Sequence, residues 1–255
     1  MRSALVLRTT REKLLLLNND TRTVRMDALS VPKKRGRGWY LLLMAPNTKG
    51  NKFAWLDPSR LYCNHQALSD CVKDLIQPFQ NESIDLVAGI DAMGFILGSA
   101  VATTLCKGFL AIRKAGHLCV QTECQPYSDY SGKDKLMEVR KDVLRPGLRV
   151  LLVDQWIETG GTMRAAISLV EKLGATVVGV AAVAIENSEG GRWLKDNYRC
   201  SHCIPENLQA QIDRQDLDSF YSLASLTQST QASHTSVQGN LEKADTSSRE
   251  IPLRE

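Results

Sequence analysis

The sequence predicts an α/β fold: a mainly parallel sheet with helices on both faces. Three observations carry that reading. Aliphatic runs of strand length alternate with stretches of helix length through the middle of the chain. The run Val150–Val153 leads through an acid and a Thr-Gly-Gly-Thr bend into a helical pattern. The stretch Thr176–Ile185 is apolar and β-branched over the length of a strand buried on both sides.

Taken in order, Asn64–Gln80 places Ala67, Leu68, Cys71, Val72, Leu75, Ile76 and Phe79 on one helical face. Asp85–Ile90 reads as a short buried strand, and Gly94–Leu105 as the apolar helix that follows it. Phe109–Arg113 and His117–Gln121 are expected to form a further pair of strands. The Pro146-Gly147 turn then introduces the strand Arg149–Val153. Gly161–Leu173 is a helix with Ala166, Leu169, Val170 and Leu173 facing inward and Gly174 as its stop. Folds of this class bind ligands beyond the carboxyl ends of their strands.

The flanks read differently from this body. Residues 1–38 hold ten Lys/Arg against three acids, a net of +7 that leaves −3 for the rest of a chain whose formal charge is +4. The basicity therefore belongs to an arm, and nucleic acid is not the expected partner of the body. Lys33-Lys34-Arg35-Gly36-Arg37 reads as a solvated basic loop. The segment from Leu226 lacks aromatics and is rich in Ser, Thr, Gln and charge, a composition that cannot offset its ordering entropy, so it is expected to be disordered. The expected organisation is a basic extension over 1–45, a domain over 46–205, and a tail over 206–255. The longest aliphatic run, Leu14–Leu17, is far shorter than a membrane span, and none is expected. Seven cysteines with no secretory signal ahead of them point to free thiols in a reducing, cytoplasmic compartment. A presequence-like first dozen residues and the basic loop offer mitochondrial and nuclear alternatives. Cys200-Ser-His-Cys203 has zinc-knuckle spacing but no second ligand pair, so scattered thiols are preferred to zinc.

The chemistry is concentrated in Val150-Leu-Leu-Val-Asp-Gln-Trp-Ile-Glu-Thr-Gly-Gly-Thr162. A buried strand delivers Asp154 to the ligand edge of the sheet. Thr159-Gly160-Gly161-Thr162 then turns into a helix, where glycines let backbone N–H groups approach a phosphate and the helix N-terminus favours the negative charge. Two threonine hydroxyls add donors, and Asp154 can accept hydrogen bonds from a sugar diol. One short segment thus binds a phosphate and a ribose. It is not a Walker loop, for the Gly-Lys-Ser/Thr element is missing.

At these residues the chain resembles the type I phosphoribosyltransferases, whose signature is four apolar residues, an acidic pair and a Thr-Gly phosphate loop. Over residues 50–195 the resemblance narrows to the adenine branch. Asp85–Phe95 looks like that family's strand and pyrophosphate loop, with Asp91, Ala92, Met93 and Gly94 at the loop. Ala111–Lys114 looks like its next strand, where Arg113 faces pyrophosphate. Tyr127–Lys133 resembles the mobile lid, within a loop read over Glu123–Lys135 that includes Tyr130. Ala54–Asp57 stands at the base-contacting element of the hood, with Trp55 as the stacking aromatic and Leu56 beside it. The resemblance implies 5-phosphoribosyl pyrophosphate and a purine as substrates, Mg2+ as cofactor with Asp154 contributing indirectly, purine salvage to a nucleoside monophosphate, and a homodimer. It assigns the 5′-phosphate to Thr159, Gly160, Gly161 and Thr162, and the ribose to Asp154 and Gln155.

Four departures from the family pattern stand out. Gln155 replaces the second acid, as also happens in the uracil branch. Met93 replaces an arginine, and a lost charge-assisted hydrogen bond typically removes about 1.5–3 kcal/mol. Leu56 replaces a base-loop arginine. Glu158 stands where the adenine branch is usually small and where hypoxanthine–guanine enzymes carry an aspartate; a carboxylate there can manage the purine proton. The lid's glutamate position falls on Asp129 or Tyr130, which makes Asp129 the other candidate acid–base group. The expected function is a purine, adenine-like phosphoribosyltransferase. The alternatives are a catalytically lapsed relative that binds the same ligand in a regulatory role and, last, a nucleic-acid-associated regulator using the basic arm.

Overall fold

Aliphatic strands flanked by one-sided helices can bury their side chains only by stacking the helices on the sheet, and the chain does this. The computed structural model describes residues 31–46, 56–128 and 133–213. Most of the basic extension, Trp55, Asp129, Tyr130 and the tail from 226 lie outside the described residues.

The strands are β1 (Ala45–Pro46), β2 (Leu56–Asp57), β3 (Leu86–Ile90), β4 (Gly108–Lys114), β5 (Thr122–Ser128), β6 (Asp134–Arg140), β7 (Arg149–Ile157), β8 (Thr176–Ile185) and β9 (Cys200–His202). The helices are α1 (Ser59–Tyr62), α2 (His65–Ile76), α3 (Met93–Thr104), α4 (Gly161–Lys172), α5 (Glu189–Asn197) and α6 (Glu206–Asp213), with 3-10 turns at Trp39–Leu43 and Gln77–Phe79. β1 and β2 form a small antiparallel pair. The main sheet has seven strands in the order β5-β6-β4-β3-β7-β8-β9. From β4 to β9 it is parallel, and β5 and β6 add an antiparallel hairpin at one edge.

Two buried clusters occupy the two faces. On one, Val87, Leu151, Val153, Ala181 and Val183 meet Cys71, Val72 and Leu75 of α2 and Leu97 and Val101 of α3. On the other, Ala88, Val150, Leu152, Val180 and Ala182 meet Met163, Ala166, Ile167 and Val170 of α4 and Leu194 of α5. Burying a Leu, Ile, Val or Met side chain contributes about 1.5–3 kcal/mol each, so this alternation of β3, β7 and β8 holds the layers together. Asn64 caps α2 by accepting from the Ala67 N–H at 3.0 Å. The predicted helix over Asn64–Gln80 is α-helical only to Ile76, and Pro78 lies in the 3-10 turn that follows.

Several elements depart from the sequence expectation. His117–Gln121 is not a strand; the buried Glu138 carboxylate accepts from the His117 and Leu118 N–H groups at 2.7 Å each, which removes those donors from any ladder. The strand lies later, at Thr122–Ser128, paired residue by residue with Asp134–Arg140. Much of the expected Glu123–Lys135 loop is therefore hairpin, and Tyr127 is a strand residue packed against the α4-side core. The signature strand also runs on to Ile157, since β8 keeps pairing with it after β3 has parted at Val153. Trp39–Met44, assigned on sequence to the extension, contributes buried side chains, and α6, assigned to the tail, buries Leu208 and Ile212. Cys203 faces Cys71 with the sulfurs 3.7 Å apart in the core.

Candidate functional site

The site forms where β3 ends against β7, with Gly89 opposite Val153. After β3 the chain passes through Asp91–Ala92, a cis peptide, into α3. After β7 it passes through Glu158 and Thr159 into α4. The two connections meet at Gly94. A Cβ there would stand 2.8 Å from the Val153 carbonyl oxygen and 3.4 Å from Asp154 Oδ1, so only glycine lets the first loop lie against the acid on the second strand.

Asp154 stands where β3 has stopped pairing and β8 still pairs. Its Oδ1 accepts from the Gln155 N–H at 2.7 Å. Burial pushes its pKa up to about 7, against the smaller opposing pull of that hydrogen bond. In the free protein this carboxyl is therefore poised to change charge near neutral pH.

The turn into α4 is fixed by backbone contact. Gly160 is left-handed at φ 79° and caps α4 without a side-chain hydrogen bond, so the first-turn N–H groups of the helix have no capping side chain. A Cβ on Gly160 would come within 2.9 Å of the Gly190 carbonyl carbon, and one on Gly161 would collide with the carbonyl oxygen of Ser128 at the end of β5. Ser188, the N-cap of α5, donates its hydroxyl to the Glu158 carbonyl and accepts from the Gly191 N–H at 3.0 Å. Thr159 is exposed, and Thr162, Gly161 and Glu158 are half-buried.

The first connection uses charge instead. Arg113, near the end of β4, pairs with Asp91 at 3.6 Å between Nε and Oδ2 and lies over the Phe95 ring. Its Nε is buried with no hydrogen-bond partner. Ala92 is exposed and Met93 half-buried.

Thus the structure brings together Asp91, Ala92, Met93, Gly94, Arg113, Asp154 and the Thr159–Thr162 turn. Gln155 is next to them but only 6% exposed, and its Oε1 accepts from the Tyr62 hydroxyl at 2.8 Å. Leu56 is placed by its backbone in β2, opposite Pro46. Trp55, Asp129 and Tyr130 lie outside the described residues. Among the described residues no group of three or more His, Cys, Asp or Glu is arranged to hold a metal.

Sequence reasoning missed the residues that brace the signature. Besides Tyr62 and Ser188 these are Gly190 and Glu186, whose buried carboxylate accepts from Trp156 Nε1 at 2.7 Å. Ser188 had a readable signal: a serine followed by Glu189 at the head of a helix is a capping pattern. The others had none, since their partners are remote in sequence.

Comparison with known proteins agrees with this geometry. Residues 60–218 match the phosphoribosyl transferase domain. The adenine phosphoribosyltransferase of Dinoroseobacter shibae is 46% identical over 138 residues, which cover 54% of this chain and 76% of that one. The crystal structure of adenine phosphoribosyltransferase from Rhodothermus marinus superposes with a TM-score of 0.58 at 33% identity, covering 63% of this chain and 91% of that one. The Giardia lamblia APRTase complexed with 9-deazaadenine gives 0.56 at 32% identity, covering 64% and 92%. The parallel sheet, the paired loops at the ends of β3 and β7, and these likenesses together place the chain in the type I phosphoribosyltransferase family, alongside the adenine phosphoribosyltransferases.

Proposed function

We propose that the chain transfers the 5-phosphoribosyl group of 5-phosphoribosyl pyrophosphate to an adenine-like purine, giving a nucleoside monophosphate and pyrophosphate in purine salvage. The observation that carries this is the contact of Gly94 with Asp154. It sets a loop suited to pyrophosphate against the acid that precedes a turn suited to phosphate.

In this reading Thr159, Gly160, Gly161 and Thr162 hold the 5′-phosphate with backbone N–H groups and hydroxyls at the start of α4. Asp154 and Gln155 meet the ribose. Arg113, whose Nε makes no hydrogen bond, and the chain from Asp91 through Ala92, Met93 and Gly94 meet pyrophosphate. Trp55 and Leu56 cover the base, and Tyr127 and Tyr130 belong to the lid over the site. The purine N9 attacks the anomeric carbon as the bond to pyrophosphate breaks, and positive charge grows on the ribose. Asp154 is already placed for that charge, so its attraction strengthens on the way to the transition state. Glu158 or Asp129 takes the purine proton.

The donor set fits a magnesium ion that arrives with its substrate. One carboxylate, Asp154, together with substrate phosphates and waters is how this ion is usually held, whereas an all-protein cage is not found among the described residues. When bound, the ion neutralises pyrophosphate. A homodimer and a cytoplasmic location complete the proposal, supported by the resemblance and by cysteine usage, and light scattering checks the former.

The test is base-dependent pyrophosphate release with adenine, hypoxanthine and guanine, read beside binding of 5-phosphoribosyl pyrophosphate by calorimetry. Adenosine monophosphate formation is expected; tight binding with no nucleotide from any base overturns the proposal. Glu158→Gln lowers the turnover of the active base by about 100-fold if Glu158 handles the proton. An unchanged rate moves that role to Asp129.

A further inference from the structure

We propose that Asp213, the last residue of α6, is a positioning residue: through Asn187 it holds the head of α5 against the bend Glu158–Gly160 and so sets the grip of that bend on a phosphate. This rests on the phosphoribosyl reading above and deepens it.

Leu208 and Ile212 root α6 in the core, which fixes where its end stands. There Asp213 Oδ1 accepts from the Asn187 backbone N–H at 2.8 Å and from Gln209 Nε2 at 2.9 Å, and Oδ2 accepts from Asn187 Nδ2 at 3.0 Å. Asn187 Oδ1 accepts in turn from Lys195 Nζ of α5 at 2.7 Å. These partners leave the Asn187 amide one orientation. An ammonium only donates and a carboxylate only accepts, so turning the amide over would set donor on donor and acceptor on acceptor.

From Asn187 the chain passes directly onto the bend. Ser188 donates its hydroxyl to the Glu158 carbonyl, a direction fixed because a carbonyl only accepts. A Cβ on Gly190 would collide with the Thr159 carbonyl oxygen, so the two backbones are in contact there. Asp213 holds the backbone at Asn187 and therefore places both supports at once. No side chain caps α4, and the first N–H groups of that helix point wherever the bend before it is held. The aim of the proposed phosphate donors thus depends on a carboxylate at the far end of α6.

The experiment measures ribose 5-phosphate affinity by calorimetry, well below each melting temperature, for the full chain and for Asp213→Asn, Asn187→Asp and the two combined. Each single change leaves a mismatch that no rotation of the amides relieves: donor against donor in the first, carboxylate against carboxylate in the second. The combination exchanges donor and acceptor and meets every partner again. The acid at 187 faces Lys195, and the amide at 213 still accepts from the backbone N–H at 187 and from Gln209. Each single variant binds about tenfold more weakly than the parent, the size of one charge-assisted hydrogen bond to phosphate. The double variant returns to within about twofold of the parent, because the coupling between the two sites is restored. Where the single variants do not fold, Gln209→Ala decides: it removes one bond to Asp213, and affinity falls about threefold. A purely structural Asp213 lowers the melting temperature and leaves the affinity alone, which overturns the inference, as does a double variant as weak as the single ones. A parent chain that binds no ribose 5-phosphate removes the phosphoribosyl reading, and the inference with it.

Discussion

The two connections that flank Asp154, proposed above to hold the two phosphates, are fixed in opposite ways. The turn Thr159–Thr162 is shaped by backbone against backbone, Gly160 on Gly190 and Gly161 on Ser128, with the Ser188 hydroxyl bracing the Glu158 carbonyl. The loop Asp91–Gly94 leans on a side-chain ion pair, Asp91 with Arg113, and touches the other half of the site through one glycine. A site fixed by steric contact fails abruptly when atoms are added. A site fixed by charge weakens by degrees as atoms are removed, because solvent and neighbours replace part of what is lost. The proposed mechanism needs both, since the 5′-phosphate stays while pyrophosphate must leave.

The largest effect is expected at Asp154, which both connections share. Asp154→Asn lowers kcat by about 100-fold or more, the usual cost of removing preorganised stabilisation of transition-state charge. It also abolishes an acid limb in kcat/KM, read from pH–rate profiles, because activity rises only as the carboxyl ionises through about pH 7. The stability trend runs the other way. A carboxyl raised from 3.8 to about 7 by folding contributes stability below pH 4 that is lost as pH climbs through 7. Above pH 7 the Asn variant should therefore melt at a higher temperature than the parent.

Next comes Gly161→Ala. Its methyl group meets the Ser128 carbonyl, so the turn must shift, and a displacement near 1 Å costs about 100-fold in kcat/KM. Steady-state kinetics check this, and a loss below threefold would mean that the turn is held less rigidly than its contacts imply. Arg113→Ala tests the contrasting loop. It raises the KM for 5-phosphoribosyl pyrophosphate about tenfold with little change in the KM for the base, the size of one charge-assisted hydrogen bond. A collapse as steep as that of Gly161→Ala would erase the distinction drawn between the two loops. The smallest change is Ser188→Ala, which removes a helix cap and one brace of the turn; it costs about 1 kcal/mol of stability by thermal melting and leaves chemistry within a few-fold.

Legibility followed the range of the interactions. The turn from β7 into α4 could be read because strand, acid, bend and helix are consecutive, and each residue type has a local reason. The strand Thr176–Ile185 was read to the residue, because burial on both faces demands an unbroken apolar run. The β5–β6 hairpin was not legible. Its first strand, Thr-Glu-Cys-Gln-Pro-Tyr-Ser, is polar and contains proline, and only pairing with Asp134–Arg140 makes it a strand. The buried Glu138 cancelled the neighbouring expectation by taking the N–H groups of the segment read as a strand. Gln155 shows the same limit on a smaller scale: sequence marked it as a substituted acid, but not that Tyr62 already occupies its oxygen.

The amino-acid order alone therefore determined the layered α/β class, the two helix faces, and the presence of a glycine bend into a helix beside an acid, since these depend on periodicity and on neighbours within a turn or two. Tertiary structure decided which strands stop beside Asp154, how burial shifts its charge, and which remote residues hold Gly160, Gly161 and Gln155 in place. Those outcomes depend on atoms that are distant in the chain and meet only once the sheet is assembled.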